Sequence, residues 1–505
     1  MWTLINSTPW MIGLVALWFS ASSIYRRFSY RNAMLANGCS TPKKYAHKDP
    51  FFGIDMFVAL AKAMQSGSML ATVEGLFTTY GKTFQSNSWG TTVINTMDPL
   101  VIQTVLANSS EKFGVAPSRI PVVEPLMQDG IFTADGQSWA YHRSIAKQIF
   151  TGVRFSVIPS LEKHVNRLLE LIPQDGSTVD LQPLLKRMFL DRTTEFLFGV
   201  SQDSLLAGTK DDSTEDFISI FDKSLVGLHT RMFLGRLVFI RGRDTQLRKD
   251  ISYVHAFIDR YVTMAIERQR LLEENVKEVS PANYVYLDKL VKETKDKTEL
   301  RNQMLNIFLP ARDSTSSATG FIFFHLARHP DVWMKLREEV IRIGDAPITF
   351  DLLKSMKYLK FVVNESLRLL APAGLSIRTC VQDCVLPRGG GPDGKSPILV
   401  RPGTEIRVVF HALHKDRDIW GEDAMEFRPE RWENLRTTWE YIPFLGGGRI
   451  CPAQQMALTE ISYLVVRFMQ EFKSMENRDP EKKFVAGMKL SMESKNGVKV
   501  GFEVA

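Results

Sequence analysis

The stretch Phe444-Leu445-Gly446-Gly447-Gly448-Arg449-Ile450-Cys451-Pro452-Ala453 places one cysteine at the end of a glycine-rich loop. An apolar helical pattern follows over residues 453–466. Glycines let a backbone turn tightly and lie close to a flat partner. A cysteine beginning a helix meets the positive end of its dipole and free N–H groups, which favour the anionic sulfur. Pro452 suits a first helical position, where the missing N–H has no partner anyway. Arg449, two residues before the sulfur, can reach an anionic edge of a bound group. Such an arrangement offers a single thiolate to a haem iron.

Three more constellations precede it. Glu365 and Arg368 stand three apart in the helical stretch YLKFVVNESLRLL, so they share a helix face and can pair. Their neighbours are apolar, which predicts burial, and a buried pair needs further partners; Arg431 in Phe427-Arg428-Pro429-Glu430-Arg431-Trp432 supplies a third charge. Trp139 and Arg143, four apart after Asp135-Gly136, can aim an indole N–H and a guanidinium at one anion. Asp313, Ser314 and Thr315 fall inside a helical pattern over about residues 300–326 that contains Pro310. A proline there removes one helical hydrogen bond and should kink the helix. A polar kink with no catalytic task is the competing reading of that segment.

In order and type these residues resemble the signatures of the cytochromes P-450, the haem-thiolate monooxygenase family. Phe444, Gly447, Arg449, Cys451 and Ala453 fill the fixed slots of its cysteine loop, F-x-x-G-x-R-x-C-x-[GA]. The resemblance implies that Cys451 is the axial ligand of haem b. It implies that Trp139, Arg143, Arg378 and Arg449 hold haem propionates, with Phe444 and Gly447 shaping the loop. Glu365, Arg368 and Arg431 would be a structural triad bracing that loop. Residues 310–315 are similar to [AG]-G-x-[DE]-T-[TS], whose acid–hydroxyl pair relays protons to dioxygen. Asp313 aligns, Ser314 takes the usual threonine slot with Thr315 as an alternate, and Pro310 and Ala311 replace two small residues. The segments 48–55, 385–394 and 454–460 look more narrowly like membrane-bound fungal members of the alkane and fatty-acid hydroxylase type.

The elements that must position these residues are mainly helical. With 505 residues, 44% hydrophobic content and 32 Phe, the chain can bury an extensive core and a greasy cavity. The expected fold is mainly α with a small β-sheet region, as in the cytochrome P-450 family. Residues 1–25 carry no charge and Arg26, Arg27 and Arg31 follow at once. That predicts a single N-terminal transmembrane helix, starting near Leu4, with its C-terminal side cytoplasmic. The expected division is an anchor over 1–25, a basic hinge over 26–44 and a catalytic domain over 45–505. The Asn6-Ser7-Thr8 sequon lies within or against the membrane. Localisation would be the endoplasmic reticulum membrane, with the catalytic domain cytosolic.

Four scattered cysteines argue against a disulfide framework. Gly389-Gly390-Gly391-Pro392-Asp393-Gly394-Lys395-Ser396 matches the phosphate-loop pattern in letters. That loop needs a helix beginning at its Lys-Ser, whereas Pro397-Ile398-Leu399-Val400 reads as a strand, so a strand–loop–strand hairpin is expected. A net charge of +7 is dispersed without a stacking module, which speaks against nucleic acid. Basic residues in the approach to the cysteine loop, Lys415, Arg417, Arg428 and Arg436 among them, suit an acidic electron donor.

The function so implied is insertion of one oxygen atom from O2 into an apolar organic substrate, by hydroxylation or epoxidation. The context is fungal secondary metabolism or fatty-acid and alkane oxidation. Electrons come from NADPH through a separate NADPH–cytochrome reductase. A reductase-independent haem-thiolate isomerase or dehydratase, and a non-catalytic membrane haem or lipid binder, are the alternatives. Segments 126–132 and 217–240, with Phe113, Ile307, Phe308 and residues 375–377, are candidate substrate contacts.

Overall fold

The computed structural model describes residues 8–152, 157–206, 212–235, 237–238, 244–274, 286–344 and 346–505. Its centre is the 30-residue helix Lys297–Leu326, most of whose side chains are buried. Asp296 caps it, accepting from the N–H groups of Thr298 (2.7 Å) and Glu299 (3.2 Å), donors that a helix start otherwise leaves unmet. The helix continues unbroken through Pro310. Helices Leu181–Phe198, Thr245–Glu273, Lys357–Leu369 and Gln454–Glu471 pack around it.

Two apolar cores divide along the central helix. Its C-terminal half (Phe321, Ile322, Phe323) packs with Leu464, Val465 and Phe468 of the helix that follows the cysteine loop. Its N-terminal half packs with Leu247, Val254 and Phe257, and Phe308 meets Phe221 edge-on at 5.2 Å between ring centroids. Each such buried side chain contributes about 1.5–3 kcal/mol relative to exposure.

A six-stranded mixed sheet forms a smaller region, in the order Lys43–Lys44, Thr83–Ser88, Thr91–Thr96, Glu405–Val408, Ser376–Cys380, Phe113–Gly114. It carries Arg378 on its fifth strand. The strands Cys384–Gly390 and Ser396–Val400 pair antiparallel, so the phosphate-loop lookalike is a hairpin and no helix begins at Lys395-Ser396. A three-stranded sheet joins Phe472–Asn477, Lys499–Val504 and Val179–Asp180. The chain is thus mainly helical with small sheets.

At the N-terminus a helix runs Thr8–Ala36, across the expected boundary between residues 25 and 26. Among the described residues, no helix is long and apolar enough to cross a membrane. The expected start of the span at Leu4 and part of the sequon (Asn6, Ser7) lie outside the described residues.

Candidate active site around the cysteine loop

The cysteine loop is held by its own backbone. Leu445 N–H donates to Ile442 at 2.9 Å, Ile450 to Gly447 at 3.2 Å, and Cys451 N–H to the Phe444 carbonyl at 3.0 Å. Leu445 sits at φ 62° and Gly447 at φ 69°. A Cβ on Gly447 would also run into the Leu106 carbonyl, so this position excludes any side chain on two counts. The following helix starts at Gln454 rather than at Pro452, which lies in the turn before it. Cys451 therefore precedes the helix by three residues, and the Ala453 N–H is the group that bonds its sulfur. Burial raises the thiol's pKa, and that N–H together with the charge of Arg143 opposes the rise.

Support for the loop descends from the Glu365–Arg368 pair, whose side chains are both fully buried. Glu365 accepts from Arg368 Nε (2.9 Å) and Nη2 (2.8 Å), Arg431 Nε (2.8 Å), Trp432 Nε1 (2.9 Å) and the Arg428 N–H (3.0 Å). Arg368 also donates to the carbonyls of His414 (2.8 Å), Ala424 (2.6 Å) and Glu426 (3.1 Å). His414 Nε2 in turn accepts the Ile442 N–H at 2.9 Å, two residues before Phe444. The desolvation of two charges is thus offset by many charge-assisted hydrogen bonds.

Beside the loop lies a cluster of guanidinium groups. Arg449 pairs with Asp135 at 2.6 Å, donates to the Ala134 carbonyl at 2.8 Å and lies 4.5 Å from the Trp139 ring. Arg378 is buried on its strand and donates only to Ser376 Oγ (2.7 Å) and the Ile377 carbonyl (2.9 Å) among the described residues. Burial, then repulsion from Arg119 and Arg449, pushes its pKa down to about 9. Arg119, which no sequence signal singled out, falls to about 10 for like reasons; it donates to the Phe132 carbonyl at 2.8 Å. Asp135 is already committed to Arg449 and to the N–H groups of Val115 and Ala116. Arg119, Arg378 and Arg449 therefore share this one carboxylate, and Arg143 adds its charge beside Arg449. A desolvated surplus of positive charge is relieved by an anionic group, and the two carboxylates of a haem beside the half-buried thiol fit it.

The residues 313–315 form a second cluster. Arg312, almost fully buried, donates to Asp222 at 2.7 Å and stands 3.3 Å from Asp313. Burial raises the Asp313 carboxyl, while Arg312 opposes that rise. Ser314 Oγ donates to the Pro310 carbonyl at 2.6 Å, and Thr315 is buried beside it. The helix that carries residues 313–315 is also tied to the segments before and after Trp139, through side chains without a sequence signal. Asn306 accepts the Phe132 N–H (3.0 Å) and donates to the Met127 carbonyl (2.9 Å). Gln303 donates to His142 at 2.6 Å, next to Arg143. Of the basic residues expected at a donor surface, Lys415 turns inward onto Glu74 (2.8 Å). Arg417 and Arg428 are exposed but paired with Glu422 and Asp423, and Arg436 is exposed.

Half-buried thiol, glycine turn and cationic cradle on a mainly helical frame define a haem-thiolate protein. The profile of the cytochrome P-450 family matches residues 50–500, and the chain belongs to that family. It is 35% identical to cytochrome P-450 monooxygenase iccC of Talaromyces variabilis, over 98% of this chain and 99% of that protein. It is also 35% identical to cytochrome P-450 monooxygenase apdE of Emericella nidulans, over 99% of this chain and 96% of that one. Cytochrome P-450 52A13 of Debaryomyces hansenii is 37% identical, over 94% and 93% respectively. The protein is accordingly an oxidoreductase of the monooxygenase type, and its cofactor is haem carried on a cysteine thiolate.

Proposed function

We propose that the chain inserts one oxygen atom into a C–H bond or alkene of an apolar organic substrate, with Cys451 as the haem ligand. The observation that carries this reading is the half-buried Cys451 beside a cluster of guanidinium groups, of which Arg119, Arg378 and Arg449 share one carboxylate. Arg119, Arg143, Arg378 and Arg449, with the Trp139 indole, would hold the propionates. The bound haem supplies activation of dioxygen, and thiolate ligation favours O–O cleavage. Phe444 and Gly447 keep the loop flat; Glu365, Arg368 and Arg431 hold it from behind. Asp313 and a hydroxyl of Ser314 or Thr315 would pass protons from the buried charge cluster toward the reacting oxygen. Apolar groups around Leu126, Phe132, Phe217, Ile307 and Phe308 would exclude water and orient the substrate.

Electrons would arrive from NADPH through a separate NADPH–cytochrome reductase, docked near the cysteine loop. The task would lie in secondary metabolism or in fatty-acid and alkane oxidation, and the likeness to fungal cytochrome P-450 proteins supports the monooxygenase part of that reading. We assign residues 1–25 to a membrane anchor, 26–44 to the connection and 45–505 to a cytosolic catalytic domain at the endoplasmic reticulum. The charge-free residues 1–25 followed by Arg26, Arg27 and Arg31 support that topology.

The test is the reduced carbon monoxide spectrum of the purified chain: a thiolate-type Soret band is expected, and its loss in Cys451→His. An imidazole-type spectrum in the parent would remove the assignment. One observation favours a second reading, isomerisation or dehydration without reductase: the Ser314 hydroxyl is occupied by the Pro310 carbonyl. Turnover that persists without NADPH and reductase would select it.

A further inference from the structure

The glycine-rich hairpin that mimics a phosphate loop has an occupant. Helix Thr8–Ala36 closes at Asn37-Gly38, with Gly38 at φ 61° and the Cys39 N–H returning to the Met34 carbonyl at 2.8 Å, the pattern that ends a helix sharply. The chain then runs along the hairpin. Ser40 N–H donates to the Pro397 carbonyl (2.8 Å), Gly391 N–H donates to the Thr41 carbonyl (3.0 Å), and Pro42 bridges Gly390 antiparallel. Lys43 and Lys44 next join the large sheet beside Phe84 and Gln85. The helix itself is gripped one step earlier. Tyr30 Oη donates to the Leu399 carbonyl at 3.1 Å, while Arg401 lies 5.1 Å from the Tyr30 ring and donates to Ser29 Oγ at 3.2 Å. Gly390 permits this approach, because a Cβ there would stand 2.5 Å from the Ser40 carbonyl oxygen.

Before Ser29, Leu17, Ile24, Tyr25 and Phe28 are all more than 60% exposed. Large apolar and aromatic side chains exposed on a helix suit the apolar edge of a bilayer. The contacts with the hairpin begin at Ser29, although Leu35 beyond it is exposed as well.

We propose that the hairpin formed by Cys384–Gly390 and Ser396–Val400 is a docking surface for residues 29–42, and that it fixes the angle at which the catalytic body meets a lipid bilayer. The inference rests on the anchor reading given above. A free connection of this length would let the body swing; the docked one couples body and helix into a single unit. An apolar substrate dissolved in the bilayer then meets the body in one orientation.

The experiment is a pulsed electron spin resonance distance between labels at Leu35→Cys and Lys395→Cys, both exposed, in full-length holoprotein in phosphatidylcholine vesicles. A narrow distribution is expected. Tyr30→Ala with Ser40→Pro, which leaves the body untouched, should widen it at least twofold, and Gly390→Val should do the same from the hairpin side. Retention after alkaline carbonate washing and the reduced carbon monoxide spectrum should stay unchanged in the Tyr30/Ser40 variant. A broad distribution in the parent, or widths unaltered in both variants, overturns the dock. Release of the parent by carbonate removes the anchor reading and with it the fixed angle on a bilayer, while the distance measured in detergent micelles still decides whether the hairpin holds residues 29–42.

Discussion

At the scale of single residues, the charge distribution around the cysteine loop says more than any one side chain. Arg378 and Arg119 are held below the usual arginine range by burial, with repulsion from Arg119 and Arg449 on the first and from Arg449 on the second. Each would regain a normal environment on meeting a carboxylate. A charge-assisted hydrogen bond of this kind is worth about 1.5–3 kcal/mol, so Arg119→Ala should release haem roughly tenfold to a hundredfold faster. Transfer of haem to apomyoglobin measures this, and an unchanged rate would take Arg119 out of the cradle. The cysteine, Arg449 and the Trp139–Arg143 spacing were legible in the sequence because each is a local pattern. Arg119 and Asp135 were not, because they reach the site from a loop and a helix start that only the packed chain brings together. The same limit hid the inward turn of Lys415, whose partner Glu74 is 341 positions away.

Elements show a different division. The central helix was legible from its periodicity, yet its consequences at Pro310 were not. Proline cannot donate to the Asn306 carbonyl, and the Asn306 side chain is the group that ties this turn to the loop before Trp139. One turn later the Ser314 hydroxyl bonds back to Pro310, a contact that competes with any proton transfer through Ser314. Thr315 is thereby the freer of the two relay candidates in geometry. Thr315→Ala should then raise the NADPH consumed per product formed, by up to the roughly 10²–10⁴-fold that a positioned proton donor contributes in rate. Ser314→Ala should cost less, and the double variant no more than a few-fold beyond Thr315→Ala. Hydrogen peroxide release per NADPH reads this directly. The reverse order would return the role to Ser314, and full coupling in the double variant would remove the relay.

For the molecule as a whole, the buried charges predict how it responds to acid. His411 Nε2 and Lys415 Nζ both bond Glu74 at 2.8 Å, joining the helix Met69–Tyr80 to the turn Phe410–Leu413. Burial opposes the Glu74 charge, but hydrogen bonding from His411 and the charge of Lys415 outweigh it and bring its pKa from 4.5 to about 2. A carboxyl depressed on folding contributes stability above pH 4.5, lost as pH falls toward 2; the shift corresponds to roughly 3 kcal/mol. Burial likewise drops His411 from 6.5 to about 4, so it takes its proton preferentially in the unfolded chain and stability falls across that interval. His325 and His414, buried and pushed well below 6.5, act in the same direction. His229 and His255, also lowered by burial, add to them. Glu460, Asp313 and Asp191, raised by burial, work the other way and favour the folded state as they protonate. Five histidines and Glu74 against those three carboxyls give a melting temperature that declines from pH 7 to pH 4. Glu74→Gln removes this carboxylate and leaves His411 and Lys415 without it: its melting temperature should sit several degrees below the parent at pH 7, and the gap should narrow as pH falls from about 4.5 toward 2. A gap that stays constant with pH would mean that Glu74 contributes packing rather than charge.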